Sequence, residues 1–230
     1  MAVYTRINES DLNLIEKNFN IGKIVSFSGI KKGIENTNYL IKTNKRKIIL
    51  TIFEKRVQKK DLPFFMDLMF GLSKNRIKCP EPIKNKKGKY LFKIKSKTAC
   101  LVSFLEGKDK NQLTNKDCFQ VGKNAALLHL AAKKLRLFRK NSLSVNSWGP
   151  LLNRIDKRIN KLSSNLINTM RTDLVDIKKK WPKSMPNGII HSDLFIDNIF
   201  FYKKKYYGFI DFYFSANDFL AYELATCVNA

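Results

Sequence analysis

The stretch GIIHSDLFIDNIFF, Gly188 to Phe201, sets His191, Asp193 and Asn198 between two apolar runs. The residue types suggest a specific chemistry. A carboxylate at Asp193 can orient a hydroxyl and accept its proton, help worth about 10²–10⁴ in rate. An amide oxygen at Asn198 can reach a divalent cation without adding negative charge beside phosphates. A second carboxylate, Asp211 in GFIDFYF, follows a predicted hairpin that begins at Asn198, so folding back brings the two together. His191 reads as a brace for the loop rather than the base. The plain alternative is that HSD and DN form only a polar turn. Asp197 fits a turn as well as it fits a ligand contact, and His129, in the apolar pattern ALLHLAA, reads as a packing histidine.

The elements that must position these groups fall into two sets. Residues 1–20 predict a short helix, with Asn8, Ser10 and Asp11 as candidate caps. KIVSFSGI, NTNYLIKTN and RKIILTIFEK then predict three consecutive antiparallel strands, and DLPFFMDLMFGLSKNRI a helix with Pro63 in its first turn. GKYLFKIKSKTACLVSFLEG supplies two more strands. After it the pattern turns helical: TNKDCFQVGKNAALLHLAAKKL opens on a Thr or Asn cap, and PLLNRIDKRINKL and RTDLVDIKKKW are also predicted helices. NIFFYKKKYYGFIDF reads as a hairpin, and a last helix is expected to begin at Asn217 or Asp218, with Asp218 as its cap. The expected organisation is an α+β fold of two lobes: residues 1–102, a connector 103–107, and a mainly helical lobe 108–230. The apolar helical pattern runs to Ala230 without a capping glycine or polar tail, which reads as a fragment.

Composition excludes several classes. With 44% hydrophobic residues and 12% aromatics, the 230-residue chain is globular. Its apolar runs are far shorter than the roughly 18–20 residues of a membrane span. Cys79, Cys100, Cys118 and Cys227 are scattered, with no CxxC pair, which fits a reducing cytoplasm better than a disulfide scaffold or zinc site. The formal charge of +25 raises nucleic-acid binding as a rival function. The lysines, however, lie in short clusters such as KNKKGK and YKKKY at predicted turns, and no RNA-recognition or zinc-finger motif accompanies them. A metal-dependent hydrolase built on His191, Asp193 and His129 lacks any HxxxH or HxH pair.

HSDLFIDN resembles the protein-kinase catalytic loop H-R-D-x-x-x-x-N, and DFY at Asp211 takes the place of D-F-G. Together with LLHLAA, GFIDFYFSANDFLAYELA and the lobe order, it is similar to the aminoglycoside phosphotransferase and choline kinase superfamily. ILTIFEKR, DLPFFMDLM, CPEPI, SFLEG and WPKSMPNGIIHSDLFIDN resemble, within it, the bacterial homoserine kinases. The resemblance implies a protein-kinase-like fold and ATP-dependent phosphorylation of the L-homoserine hydroxyl in threonine biosynthesis. It also implies a cytoplasmic enzyme with small-molecule partners. A kinase of choline, ethanolamine or another amino alcohol is the alternative. Carried over residue by residue, Asp193 is the catalytic base, with His191 in a supporting role in the catalytic loop, and Asn198 and Asp211 are Mg²⁺ ligands. GIKKGIENTNYL, with Gly29, Gly33, Asn36 and Asn38, covers the phosphates, and Ser103 and Leu105 in VSFLEG meet the adenine.

One departure stands out. The third strand of a protein kinase carries a cation for the phosphates, and here the equivalent position is Thr51. The following helix offers no Glu to pair with such a cation. Lys55 and Arg56 are the candidates to replace it.

Overall fold

The computed structural model describes residues 3–33, 35–159 and 164–229. Five strands form one antiparallel sheet: β1 (Ile24–Gly29), β2 (Thr37–Thr43), β3 (Lys47–Ile52), β4 (Leu91–Ile94) and β5 (Lys97–Ser103), in the order β1-β2-β3-β5-β4. Helix α1 (Glu9–Asn18) starts on a reciprocal capping box between Asn8 and Asp11, which satisfies two of its free N–H groups. Helix α2 (Leu62–Lys74) opens with a proline in its first turn, where no N–H is needed.

The period of two along the strands decides what faces what. Ile48, Leu50 and Ile52 of β3, with Ala99 and Leu101 of β5, pack with Ile15 of α1 and Phe19 just after it. The alternate residues Cys100 and Val102 join α2 in a second core. That core continues through α3 (Asn115–Ala132) to Leu194, Phe209 and Phe212 beside the motif. A shared core of this kind fixes the motif loop against the sheet's lobe. In register, Asn38 lies opposite Thr51, and Thr51 opposite Cys100, so one polar row crosses the face opposite α1.

Helix α3 begins as expected on Thr114, in a capping box with Asp117. Helix α4 (Val145–Ile159) differs from expectation: it starts five residues before Pro150 and carries that proline inside. The Trp148 indole donates to Leu143 O at 2.6 Å, fixing a turn ahead of the proline that spacing alone does not reveal. Helix α5 (Ser164–Lys180) likewise begins earlier than RTDLVDIKKKW predicts.

The motif sits among four short strands. β6 (Asn187–Ile190) leads into it, and the hairpin β7 (Ile199–Tyr202) and β8 (Lys205–Phe209) follows. The hairpin turn is Lys203–Lys204, both at positive φ, the backbone of a type I′ turn without its usual Asn-Gly. The expected helix start at Asn217 or Asp218 is corrected. Both belong to strand β9 (Ala216–Phe219), which pairs antiparallel with β6, and helix α6 runs Leu220–Asn229. Asp218 does not cap it. Its carboxylate accepts from the Asn141 side chain at 2.7 Å and from the Phe219 N–H at 2.8 Å.

Candidate active site

Strand β6 delivers the chain to His191, where it bends sharply. Ser192 holds a left-handed conformation at φ 68°, as does Asp211 at φ 64°. Backbone of this kind costs energy in a residue other than glycine and persists where its surroundings enforce it. Phe195 N–H then donates to Asp193 O, and Asn198 N–H to Phe195 O, winding the loop into one tight turn. The hairpin returns the chain so that Ile210 N–H donates to Asn198 O at 3.0 Å, and Asp211 comes next. Asp211 is therefore placed beside Asn198, as the hairpin argument requires.

Within the turn, the Asn198 amide donates to Asp193 Oδ2 at 2.9 Å and to Asp193 O at 2.8 Å. Its nitrogen is fully used, which leaves the Asn198 oxygen as the free end of the side chain. Asp193 and Asp211 both line a cleft of about 1140 Å³. Desolvation in the cleft, with the neighbouring charge of Asp211, pushes the Asp193 carboxyl up to about 6. Asp211 keeps solvent access on the cleft side but is crowded by protein, and its carboxyl is likewise pushed up to about 6. The Asp211 carboxylate and the Asn198 amide oxygen, with Asp193 next to them, make an oxygen-only donor set. Such a set suits a hard divalent cation whose remaining ligands are phosphates and water. Among the described residues no three His, Cys, Asp or Glu side chains are grouped to hold a metal by themselves.

His191 is fully buried and is not part of the cleft lining. Its Nε2 lies 2.8 Å from Ile210 O, which can only accept, so that nitrogen carries the proton. The ring sits 4.5 Å from Phe212, and burial lowers its pKa from the ordinary histidine value. A buried ring tying the motif loop to Ile210, just before Asp211, is a brace.

A residue that spacing did not single out holds the bend. Glu223 of α6, 1% exposed, accepts from the His191 N–H and from the Ser192 N–H at 3.0 Å. Its Oε2 also lies 3.4 Å from His129 Nε2, so His129 is packed and partnered at once. The available signal was an acid within the apolar helical pattern FLAYELA, where a charge is costly unless it has a task.

The opposite wall comes from the sheet. Gly33, at φ 100° with open space about it, lines the cleft with Asn36, Asn38 and Thr51. Asn36 Oδ1 is buried there without a protein partner, as is Ser192 Oγ across the cleft. Gly29 is not brought to the cleft. It closes β1 in ordinary strand conformation opposite Tyr39, with Val3 packed where a side chain would go. Ser103 and Leu105 line the cleft where the chain leaves β5, and both the N–H and the hydroxyl of Ser103 are engaged by Glu81. At Gly107, φ 108°, an added Cβ would lie 2.6 Å from Phe201 O, so the chain here can lie against β7 only without a side chain. Of the two candidate cations, Arg56 lines the cleft and Lys55 does not.

Residues 26–230 match the model of the phosphotransferase enzyme family APH. The chain belongs to that family. The phosphotransferase is 44% identical to the homoserine kinase of Allorhizobium ampelinum over all 230 of its residues, and spans 72% of that relative's length. Its fold is that of protein-kinase-like phosphotransferases. A spectinomycin phosphotransferase solved with ADP and spectinomycin superposes with a TM-score of 0.69 at 15% identity, over 96% of this chain and 73% of that one. An amicoumacin kinase solved with AMP-PNP and Ca²⁺ superposes with a TM-score of 0.68 at 15% identity, over 96% and 69%. In this phosphotransferase, then, the expected α+β architecture stands, with a small antiparallel sheet above a mainly helical half. No helix among the described residues is long and apolar enough to cross a membrane.

Proposed function

We infer that the chain is an ATP-dependent homoserine kinase, transferring the γ-phosphoryl group of ATP to the side-chain hydroxyl of L-homoserine. The product, O-phospho-L-homoserine, feeds threonine biosynthesis. The observation that carries the acceptor is the 44% identity to a homoserine kinase along the whole chain. The convergence of Asp193, Asn198 and Asp211 on one cleft supports the reaction type. The enzyme acts on a small molecule, in the cytoplasm, where ATP is supplied and its four free cysteines stay reduced.

In this reading Asp193 orients the acceptor hydroxyl and takes its proton at Oδ1, because Oδ2 already accepts from Asn198. A raised pKa makes it a better base than an ordinary aspartate. Asn198 Oδ1 and Asp211 would hold Mg²⁺, which would supply neutralisation of charge on the phosphates. His191 and Glu223 act through the backbone, holding the left-handed bend at Ser192 that aims Asp193. Gly33, Asn36 and Asn38 face the phosphates, and Ser103 and Leu105, at the start of the 103–107 connector, face the adenine.

A coupled ADP-release assay tests the reading, with L-homoserine, choline, ethanolamine and aminoglycosides as acceptors and Mg²⁺ present. Turnover with homoserine well above the others is expected. Preference for choline or ethanolamine rejects the acceptor, and a lack of turnover with every acceptor rejects the assignment.

A further inference from the structure

This inference rests on the kinase reading and concerns how the phosphates are held. Strand β3 offers them no cation. Thr51 is 2% exposed, and its hydroxyl donates to Asn38 Oδ1 at 2.8 Å. The Tyr213 phenol, reaching in from beyond Asp211, lies beside the same hydroxyl and 3.8 Å from Cys100 Sγ. The row Asn38–Thr51–Tyr213 therefore fills the space that a long side chain at position 51 would cross.

Two cations line the cleft among the described residues, Lys32 and Arg56. Lys32 is held at the connector side, 2.5 Å from Asp109. Arg56 stands past the end of β3, its guanidinium 4.8 Å over the Phe214 ring. It forms an ion pair with Glu35, which lies on the loop between β1 and β2 that also carries Gly33. It also lies near enough to Asp193 for its charge to act on that carboxyl. One side chain thus connects the glycine loop, the aromatic wall after Asp211 and the neighbourhood of the base. We propose that Arg56 is the phosphate-binding cation of this kinase, replacing a lysine on the third strand, and that Glu35 is the acid that aims it.

The chemistry suits the arrangement. A guanidinium has five donors in a planar fork, so one edge can stay on Glu35 while another takes phosphate oxygens. Stacking on Phe214 restrains the plane of the fork. The pair is the reverse of a strand cation met by a helix acid: here the acid is on the loop over the phosphates. Nucleotide binding and ordering of that loop are thereby joined through a single contact.

The test measures binding without turnover, by calorimetry, for adenosine, Mg·ADP and Mg·AMP-PNP, alongside the KM for homoserine. Arg56 is more than half exposed, so Arg56→Met should fold. A charged hydrogen bond is worth about 1.5–3 kcal/mol, which sets the expected loss of Mg·ADP and Mg·AMP-PNP affinity at about 10- to 150-fold. Adenosine affinity and the homoserine KM should stay within about 2-fold, and Arg56→Lys should recover most of the loss. Glu35→Ala should lose less, and the double variant no more than Arg56→Met alone, because the two residues act as one unit. A raised homoserine KM with unchanged nucleotide affinity overturns the proposal by moving Arg56 to the acceptor's carboxylate. Unchanged values throughout, or an equal loss for adenosine and Mg·ADP, overturn it as well, and an additive double variant removes Glu35 from it. If the wild type ignores homoserine while this nucleotide pattern holds, the acceptor reading fails and the Arg56 assignment stands.

Discussion

The side-chain amide of Asn198 donates to Asp193 at 2.9 Å, so the proposed metal ligand and the proposed base are one hydrogen-bonded unit. The bond occupies Oδ2 of the acid and the nitrogen of the amide, turning their remaining oxygens to different tasks. Asp193→Asn should lower kcat by about 10²–10⁴ while leaving Mg·ATP binding nearly unchanged. Steady-state kinetics with nucleotide binding measured in parallel checks both halves. A loss of nucleotide affinity as large as the loss of kcat would refute a role confined to the acceptor proton.

Asp211 illustrates the cost of assembling such a site. Its carboxyl is pushed from the ordinary 3.8 up to about 6. A folded-state pKa above the unfolded one means that the protonated acid favours the fold. That contribution is full below about 4 and lost as pH rises through about 6. In EDTA at pH 7.5, Asp211→Asn should therefore melt at a higher temperature than the wild type, and the gap should close below pH 4. Mg·ADP should raise the melting temperature of the wild type and not of the variant, and the variant should have no measurable turnover. Thermal melts across that pH range decide the matter.

Glu223 should matter as much as the motif it supports. Replacing it by Ala leaves the buried N–H groups of His191 and Ser192 without an acceptor, at about 1–3 kcal/mol for each. Glu223→Ala should lower the denaturation midpoint and kcat together, because the left-handed bend at Ser192 loses its clamp. Glu223→Gln retains one acceptor oxygen and should restore part of both. Equal stability of all three proteins would show that the clamp is not needed.

Likeness to the kinase catalytic loop singled out Asp193 and Asn198, and Asp211 ends the apolar run GFI after a hairpin whose turn is marked by lysines. Sequence pattern also placed the five strands of the sheet and helices α1 to α3, whose caps and periods are local. It did not reveal β9. Asn217 and Asp218 carry the types that open helices, and only pairing with β6, some thirty residues earlier, makes them a strand. Glu223 escaped for the same reason: its partners, His191 and Ser192, are distant in sequence and bind it through backbone N–H groups that no side-chain pattern announces. Arg56 stood as one of two adjacent cations. Which of them enters the cleft depends on how the chain turns after β3, a tertiary fact.

The start of α3 offers a test of stability far from the chemistry. Asp117 accepts from the Lys110 ammonium at 2.8 Å, from the Thr114 N–H at 3.0 Å and from the Thr114 hydroxyl at 2.8 Å. The Lys110 contact is the main cause holding its carboxyl down at about 2, against an ordinary 3.8. A depressed folded-state pKa contributes stability that is present above about 4 and is lost as pH falls through about 2. Asp117→Asn should therefore be less stable than the wild type at pH 6, and the difference should shrink steadily between pH 4 and pH 2. Thr114→Ala removes the hydroxyl half of the cap and should cost about 1 kcal/mol at neutral pH. Denaturant titrations of both variants at pH 6 and pH 3 measure the two effects. Since α3 packs against the motif's core through Val121, Ala125 and Leu128, kcat at pH 7 should hold in either variant as long as the protein stays folded.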